Sequence, residues 1–337
     1  MAWMARSRSS DHGISFNELT PKQYTSLSVN NPLNGQVVLS DEVATALNEA
    51  GAIVALETTI VVQGLPAPIN LEVARECDQA VRKHGSIPAT IGVLDGKVVV
   101  GLSAVQLEEL ACAQTKAAKL SSRDLGLALA TSTNGATTVA GTIAVAHRVG
   151  IAVMATGGLG GVHRGAAQSF DESADLTALS RTPVLVVASG VKSILDIGAT
   201  LERLDSLGVP IAGYRTKEFP GFYRASSGFA LDWSLEDPTQ VARAFLLHRL
   251  FSPTGMLVAN PVAEHQQLDA QVHDNALESA LALSNHLGVT GKDVTPVLLA
   301  EFARFSAGKS VQVNRDLVVA NAALASKIAQ EIAKADQ

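Results

Sequence analysis

Sulfur, aromatic rings and clustered positive charge are all scarce in this chain. Only two cysteines occur in 337 residues, Cys77 and Cys112. Each sits in an apolar helical pattern, and neither lies near a second cysteine or a histidine at metal-ligand spacing. That excludes a disulfide framework and a thiolate zinc site. Both read as buried small hydrophobes in a reducing compartment. The net charge is −6 and no lysine- or arginine-rich stripe interrupts it, so the electrostatic footprint of a nucleic-acid or anionic-membrane binder is missing. No uninterrupted apolar run reaches the roughly 18–20 residues that span a bilayer. The partner class left standing is a small acidic or neutral metabolite.

Core material, by contrast, is plentiful: 47% of the residues are hydrophobic and 17% charged, enough for a large buried interior. The opening MAWMARSRSS is rich in arginine and serine, has no acid before Asp11 and lacks a secretory apolar core. It faintly resembles an organellar transit segment. Residues 1–39 are therefore expected to form a poorly ordered leader and residues 40–334 a single domain. Its location is cytoplasmic unless the leader directs it to an organelle. The C-terminal Ala-Asp-Gln is no peroxisomal address.

Regular structure is expected to begin at Asp41, a cap ahead of Val43, Ala44 and Leu47. Ile53 to Leu56 then reads as a short buried strand ending on Glu57. Asn70 can cap a helix over Leu71 to His84, with Val73, Cys77, Ala80 and Val81 on one face. Ile87 to Leu94 and Lys97 to Leu102 flank Asp95-Gly96, a strong hairpin signal. Ser103 with Gln106 makes a capping box for a helix to about Ala113. Beyond Arg123-Asp124 helices alternate with strands: helix Thr138 to Val149, strand Ile151 to Ala155, strand Val184 to Ala188, helix Ile194 to Leu207, strand Ile211 to Tyr214 and strand Leu257 to Ala259. Helices follow from about Ala270 to Leu287, from Pro296 (capped by Thr295) to Phe305, and from Asn314 to Ile332. With no repeat and no long linker, the economical architecture is an α/β/α sandwich with a mixed, mostly parallel central sheet that includes an antiparallel hairpin.

Three stretches could carry chemistry. Glycine is densest in ATGGLGGVHRG at 155–165, directly after a strand, where turn amides can cradle an anion or simply make a tight turn. The spacing is not a dinucleotide fingerprint, and no Walker lysine follows. In SFDESADL at 169–176, Ser173 can cap a helix from Ala174. That leaves Asp171 outside the helix and Asp175 in its first turn, so both can face one cleft mouth. A lone carboxylate of this kind serves either ordinary capping or a hard, well-hydrated cation such as Mg²⁺ or Mn²⁺. Lys192, after Ala188-Ser189-Gly190-Val191 and just before a helix near Ile194, is either a lysine that snorkels to solvent or an amine nucleophile. Apolar neighbours and a helix N-terminus would disfavour its ammonium form.

Together, ALETTI at 55–60, NLEVA at 70–74, GSIPATIGVLDGKVVVGLS at 85–103, NGATTVAGT at 134–142, ATGGLGGVHRGA at 155–166, FDESADL at 170–176 and GVKSILDIG at 190–198 resemble the pseudouridine-5′-phosphate glycosidase family, also called the indigoidine-synthase A family. The similarity runs from about Val54 to Ile328. The resemblance implies a metal-dependent carbon–oxygen lyase that reversibly cleaves the C–C glycosidic bond of pseudouridine 5′-phosphate to uracil and ribose 5-phosphate. It matches Glu57 to the family's proton donor, Lys192 to its Schiff-base nucleophile and Asp171 to its ligand for Mn²⁺ or another divalent cation. Lys119, Val139, Ser173, Ala174, Asp175 and Asn314 match substrate contacts, and the family's habit is homotrimeric. Three stretches depart from the family pattern. Val62-Gln63-Gly64-Leu65-Pro66 stands where Ser-His-Gly-x-Pro is usual, Ser122-Arg123 where two arginines are usual, and Ser306-Ala307-Gly308-Lys309 in place of a Thr-Gly-Gly region.

These residue types suit the reaction. The base is attached through carbon, so protonating a nitrogen leaving group cannot free it. An opened ribose bonded through its anomeric carbon to the Lys192 amine supplies the electron flow instead, and Glu57, expected in an apolar setting that raises its pKa, can move the protons. Two rivals share parts of this apparatus: a Schiff-base aldolase or C-glycosidase acting on a related sugar phosphate, and a non-catalytic sugar-phosphate sensor.

Overall fold

The computed structural model describes residues 35–112, 115–288 and 294–335, so the expected leader up to Asn34 lies outside the described residues. Structure opens earlier than the periodicity indicates. Strand β1 (Val37–Leu39) pairs in parallel with the strand Lys97–Val100, and three residues are too few to show a period of two. Helix α1 (Asp41–Asn48) is capped by Ser40, whose Oγ accepts from Val43 N at 3.3 Å, not by Asp41. Asp41 instead falls in the first turn, where its charge faces the positive end of the helix.

Strand β2 (Ile53–Leu56) has the expected bounds and is buried throughout. A single π-helical turn, Ile60–Gly64, leads toward helix α2 (Ile69–Lys83). Asn70 does not cap that helix. It is buried inside the first turn, and its Nδ2 donates to Val61 O at 2.7 Å, tying the π turn to α2. Strands β3 (Ile87–Leu94) and β4 (Lys97–Val100) form the expected hairpin, in the register Leu94 opposite Lys97. Asp95 and Gly96 both take positive φ (49° and 70°), the twist a two-residue hairpin turn needs. Helix α3 (Ala104–Ala111) shows both arms of the Ser103/Gln106 capping box; the expected end near Ala113 lies outside the described residues. Cys77 is buried as expected, whereas Cys112 is exposed, because α3 stops at Ala111 and Cys112 is already in extended backbone.

Strand β5 (Ala118–Leu120), helix α4 (Leu125–Ala130) and strand β6 (Gly135–Thr137) come next, all too short for a periodic pattern. Helix α5 (Val139–Val149) is capped by Thr138. There follow β7 (Val153–Ala155), α6 (Ala166–Ser169), α7 (Ala174–Leu179), β8 (Leu185–Ala188), α8 (Ile197–Ser206), β9 (Ile211–Tyr214), β10 (Ser234–Leu235) and α9 (Pro238–His248). The chain continues through β11 (Met256–Ala259), α10 (Ala270–Leu287), α11 (Val294–Phe305) and α12 (Lys309–Ala335). Helix α8 begins three residues later than expected because Asp196 caps it by accepting from Ala199 N at 2.9 Å. The described part of α11 reaches back to Val294, ahead of the expected Pro296, and α12 begins at Lys309, ahead of Asn314.

The strands run in the order β1-β4-β3-β2-β7-β8-β11-β9-β10, with β6 paired to β3 and β5 to β6. Every pairing is parallel except β3 with β4 and β3 with β6. Strands β2, β7, β8 and β11 are buried along their whole length, as a parallel sheet covered on both faces must be. Helix α12 packs on β2, β7 and β8, and α5 on β2, β3 and β7. Fully enclosed side chains such as Met154, Leu185 and Ile143 each contribute about 1.5–3 kcal/mol by leaving water.

Candidate functional site

From β2 the chain proceeds to β3 on one side, and from β7 to β8 on the other. The strand order therefore reverses between β2 and β7, and in open α/β sheets ligands bind in the crevice outside the carboxyl ends of the strands at such a point. A cavity of about 560 Å³ lies there, within the usual range for small-molecule sites. Its wall carries every residue singled out by the sequence: Glu57, Lys119, Val139, Asp171, Ser173, Ala174, Asp175, Lys192 and Asn314.

Glu57 leaves the end of β2 and is 9% exposed. The expected apolar setting is not what surrounds it. Thr156 Oγ1, from the end of β7, donates to Glu57 Oε1, and Thr59 Oγ1 to Glu57 Oε2. Thr58 faces away, donating to Ile91 O at 2.8 Å and accepting from Thr137 N at 2.9 Å. The two consecutive threonines thus divide the work: one anchors the strand end, and the other holds the carboxylate.

Lys192 stands in the turn after β8, its main-chain N–H donating to Leu159 O at 3.2 Å. Because α8 starts at Ile197, the lysine is not at a helix N-terminus. It is held by the loop at 156–165, which Leu159 joins through a parallel bridge to Val191. That loop is glycine-rich because it is crowded. A Cβ at Gly158 would come within 2.6 Å of the Phe222 ring, and one at Gly160 would collide with Ser173 Oγ. Asn321 of α12, wholly buried, fixes the start of the loop by donating to Thr156 O at 2.8 Å and to Ser189 Oγ at 3.1 Å, while Asn260 Nδ2 donates to Asn321 Oδ1 at 2.9 Å.

Ser173 caps α7 as expected, accepting from Asp175 N at 3.2 Å. Asp175 is buried, and its two oxygens accept from Ala140 N and Gly160 N, each at 2.9 Å, so its charge organises the wall. Asp171 is different. Its carboxylate, 34% exposed, lies 3.9 Å from His163 Nδ1, and His163 N donates to Asp171 O at 3.0 Å. Burial holds the His163 imidazole below its ordinary pKa, against the pull of Asp171 and with the help of Lys119 and Lys192. Among the described residues no group of three histidine, cysteine or acidic side chains could enclose an ion. A half-exposed carboxylate on the wall of a roomy cavity fits a hard cation that keeps most of its water.

Lys119 on β5 and Val139 at the first turn of α5 line the same cavity. Among the described residues, three buried atoms on the cavity lining have no hydrogen-bond partner: Gln63 Oε1, Ser121 Oγ and Asn314 Oδ1. Buried polar atoms are almost always paired, and an orphan marks a place where a ligand or water completes the structure. Gln63 Nε2 donates to Ala117 O at 3.2 Å. Sequence reasoning passed over Thr59, Thr156, His163, Phe222 and Asn321. Thr59 and His163 lay inside motifs already singled out, whereas Phe222 and Asn321 carry no local signal.

A crevice at the sheet's reversal, lined by a buried carboxylate, two lysines and a partly exposed acid, defines an α/β/α protein built around a pocket for a small polar molecule. The chain belongs to the family described as indigoidine synthase A like protein, whose model matches residues 42–331. It is 57% identical over 291 residues to a pseudouridine-5′-phosphate glycosidase of Salinispora tropica, covering 86% of this chain and 89% of the relative. It is 50% identical over 301 residues to a protein of the same name from Streptomyces griseus, covering 89% and 92%. Among solved structures it is similar to the prealnumycin C-glycosynthase in complex with ribulose 5-phosphate, with a TM-score of 0.82, 37% identity and coverage of 89% of this chain and 97% of the other. An indigoidine synthase A-like protein of Thermotoga maritima gives a TM-score of 0.80 at 34% identity, with the same coverage.

Proposed function

We propose that this protein is a pseudouridine-5′-phosphate glycosidase, which with water reversibly cleaves pseudouridine 5′-phosphate to uracil and ribose 5-phosphate. One observation carries the reading: Glu57, Lys192 and Asp171, far apart in sequence, meet on one cavity in a chain 57% identical to a protein of that name. Glu57 gives a proton to the ribose ring oxygen, and the bond from that oxygen to the anomeric carbon opens as electrons flow from the uracil ring. The Lys192 amine then adds to the anomeric carbon. When a proton reaches the uracil carbon, the carbon–carbon bond breaks. Its electron pair restores the uracil ring, and the lysine nitrogen forms the iminium. Water hydrolyses the iminium, returning the amine and releasing open-chain ribose 5-phosphate.

Lys119, on the cavity wall, suits the phosphate. Asp171 would hold the divalent cation, Mn²⁺ or Mg²⁺, which when bound polarises substrate oxygens and orients water. Gln63, Ser121 and Asn314 offer the unpaired atoms for hydroxyls or base edges. The homotrimeric habit, the single catalytic domain over 40–334 and a cytoplasmic location complete the proposal, the first of these being measurable by sedimentation.

A second reading has its own support. Similarity to a C-glycosynthase bound to ribulose 5-phosphate favours formation of a carbon–carbon bond to a related sugar phosphate, with the same lysine and glutamate. Incubation with pseudouridine 5′-phosphate and Mn²⁺, read out as free uracil, decides between them. No uracil from the folded, metal-loaded protein removes the first reading.

A further inference from the structure

Thr59 has one hydroxyl hydrogen and two acceptors within reach. Its Oγ1 lies against Glu57 Oε2 on one side and 3.2 Å from the main-chain carbonyl of Thr137 on the other. A carbonyl oxygen only accepts, whereas a hydroxyl both donates once and accepts. When the hydrogen points at Glu57, the group it serves is the ionised carboxylate. When it points at Thr137, an Oγ1 lone pair is turned toward Glu57, and only a protonated carboxyl has a hydrogen to place there. The carbonyl is well fixed: Thr137 is wholly buried, its Oγ1 donates to Ile91 O at 2.7 Å, and its O also accepts from Thr58 N at 3.3 Å. Thr59 itself is 9% exposed, so bulk water competes little for either bond. Thr156 Oγ1, by contrast, donates to Glu57 Oε1, with no second acceptor for it among the described residues.

Resting on the reading of Glu57 as the proton carrier, we propose that Thr59 is a positioning residue, a hydroxyl rotor that turns toward Glu57 when the carboxylate is ionised and toward the Thr137 carbonyl when it is protonated. Only hydrogen bonds are exchanged; the proton that Glu57 gives or takes travels to and from the substrate. The arrangement keeps both forms of the acid hydrogen-bonded in one geometry, so a turnover that uses Glu57 first as acid and then as base needs no movement of the carboxyl. Charged groups facing the same cavity are Lys119, Lys192, His163, Asp171, Glu172 and Asp175, with the Arg123 and Asp124 pair completing the lining.

The test compares wild type with Thr59→Val, which keeps the shape and removes the hydroxyl, and Thr59→Ser, which keeps the hydroxyl. Two readouts are taken. In glutamate ¹³C-labelled at the carboxyl, with the Glu57 signal assigned by its loss in Glu57→Gln, Thr59→Val is expected to titrate at higher pH than wild type, by roughly a unit. The lost bond to the ion is about twice as strong as the lost bond to the neutral acid, while Thr59→Ser follows wild type. In turnover, Thr59→Val is expected to lower kcat about 10- to 100-fold with KM unchanged, and Thr59→Ser to restore most of it. Equal titration in wild type and Thr59→Val, or a Thr59→Ser variant that behaves like Thr59→Val, overturns the rotor. The titration needs no substrate, so failure of wild type to release uracil strikes the proposed reaction and leaves the rotor to be decided by the carboxyl signal.

Discussion

Asp175 holds the main chain of Gly160 by accepting its N–H at 2.9 Å, and with its other oxygen it holds Ala140 N at the same distance. One buried charge therefore locks the glycine-rich loop to the first turn of α5, two segments that face the cavity. Hydrogen bonds to a charged, buried group are worth about 1.5–3 kcal/mol each, and an unpaired partner costs its full desolvation. Asp175→Asn can satisfy only one of the two amides and turns an NH₂ toward the other. The expected outcome is a loss of about 2–3 kcal/mol, measured by urea unfolding, together with a weakened KM as the loop loosens. Unchanged stability with lost activity would assign Asp175 to the substrate alone.

Asp78 on α2 has the opposite character. Its half-buried carboxyl is pushed above the ordinary value by desolvation, which outweighs Arg82 and the Thr90 hydroxyl. A carboxyl whose folded pKa is raised binds more protons folded than unfolded, so stability falls as pH rises through the unfolded value near 4 and up to the folded one. Asp78→Asn is expected to raise the thermal midpoint at neutral pH and to leave it unchanged at pH 3, where both states are protonated. Thermal unfolding of the two proteins at pH 3 and pH 7 checks the sign.

These two acids also show where sequence stops being legible. The Glu57 strand, the Asp95-Gly96 hairpin, the Ser103 box and the Ser173 cap rest on neighbours in the chain, and each stands where spacing put it. Asn321 and Phe222 do not: Asn321 sits in the middle of α12, and only the fold reveals that its amide meets the Thr156 carbonyl 165 positions away. The setting of Glu57 was misjudged for the same reason. The apolar run Ile53 to Leu56 predicts an apolar pocket, but Thr156 arrives from β7, a strand 99 positions on. Helix α9 was overlooked despite local signals, since Asp237 caps it with Pro238 at its first position.

Metal removal tests Asp171. Chelation is expected to abolish uracil release, with Mn²⁺ restoring it and Asp171→Ala losing the rescue while keeping its thermal midpoint. His163→Gln should raise the Mn²⁺ concentration needed for rescue without abolishing it, because the imidazole Nδ1 stands 3.9 Å from the Asp171 carboxylate. Turnover by a chelated preparation at the untreated rate would remove the cation from the scheme.

The last prediction isolates the covalent step. A lysine bonded as an iminium to the opened ribose is reducible, so borohydride added during turnover, or during incubation with ribose 5-phosphate, should leave a stable secondary amine. Lys192 lies on the cavity wall with its stem against Gly158, where a Cβ on the glycine would be 3.6 Å from Lys192 Cγ. Lys119 lies on the same wall, so location alone does not choose between the two amines. Peptide mass spectrometry does: the adduct is expected on the Lys192 peptide and absent in Lys192→Ala, with cleavage nearly abolished. Lys119→Ala should instead raise KM for the phosphorylated substrate and still give the adduct at saturation. Glu57→Gln, unable to cycle a proton, should lower both adduct yield and kcat by about 10²–10⁴-fold. An unmodified Lys192 peptide from enzyme trapped while releasing uracil, with an active Lys192→Ala protein beside it, would eliminate the Schiff base and leave uracil release to be explained by another route.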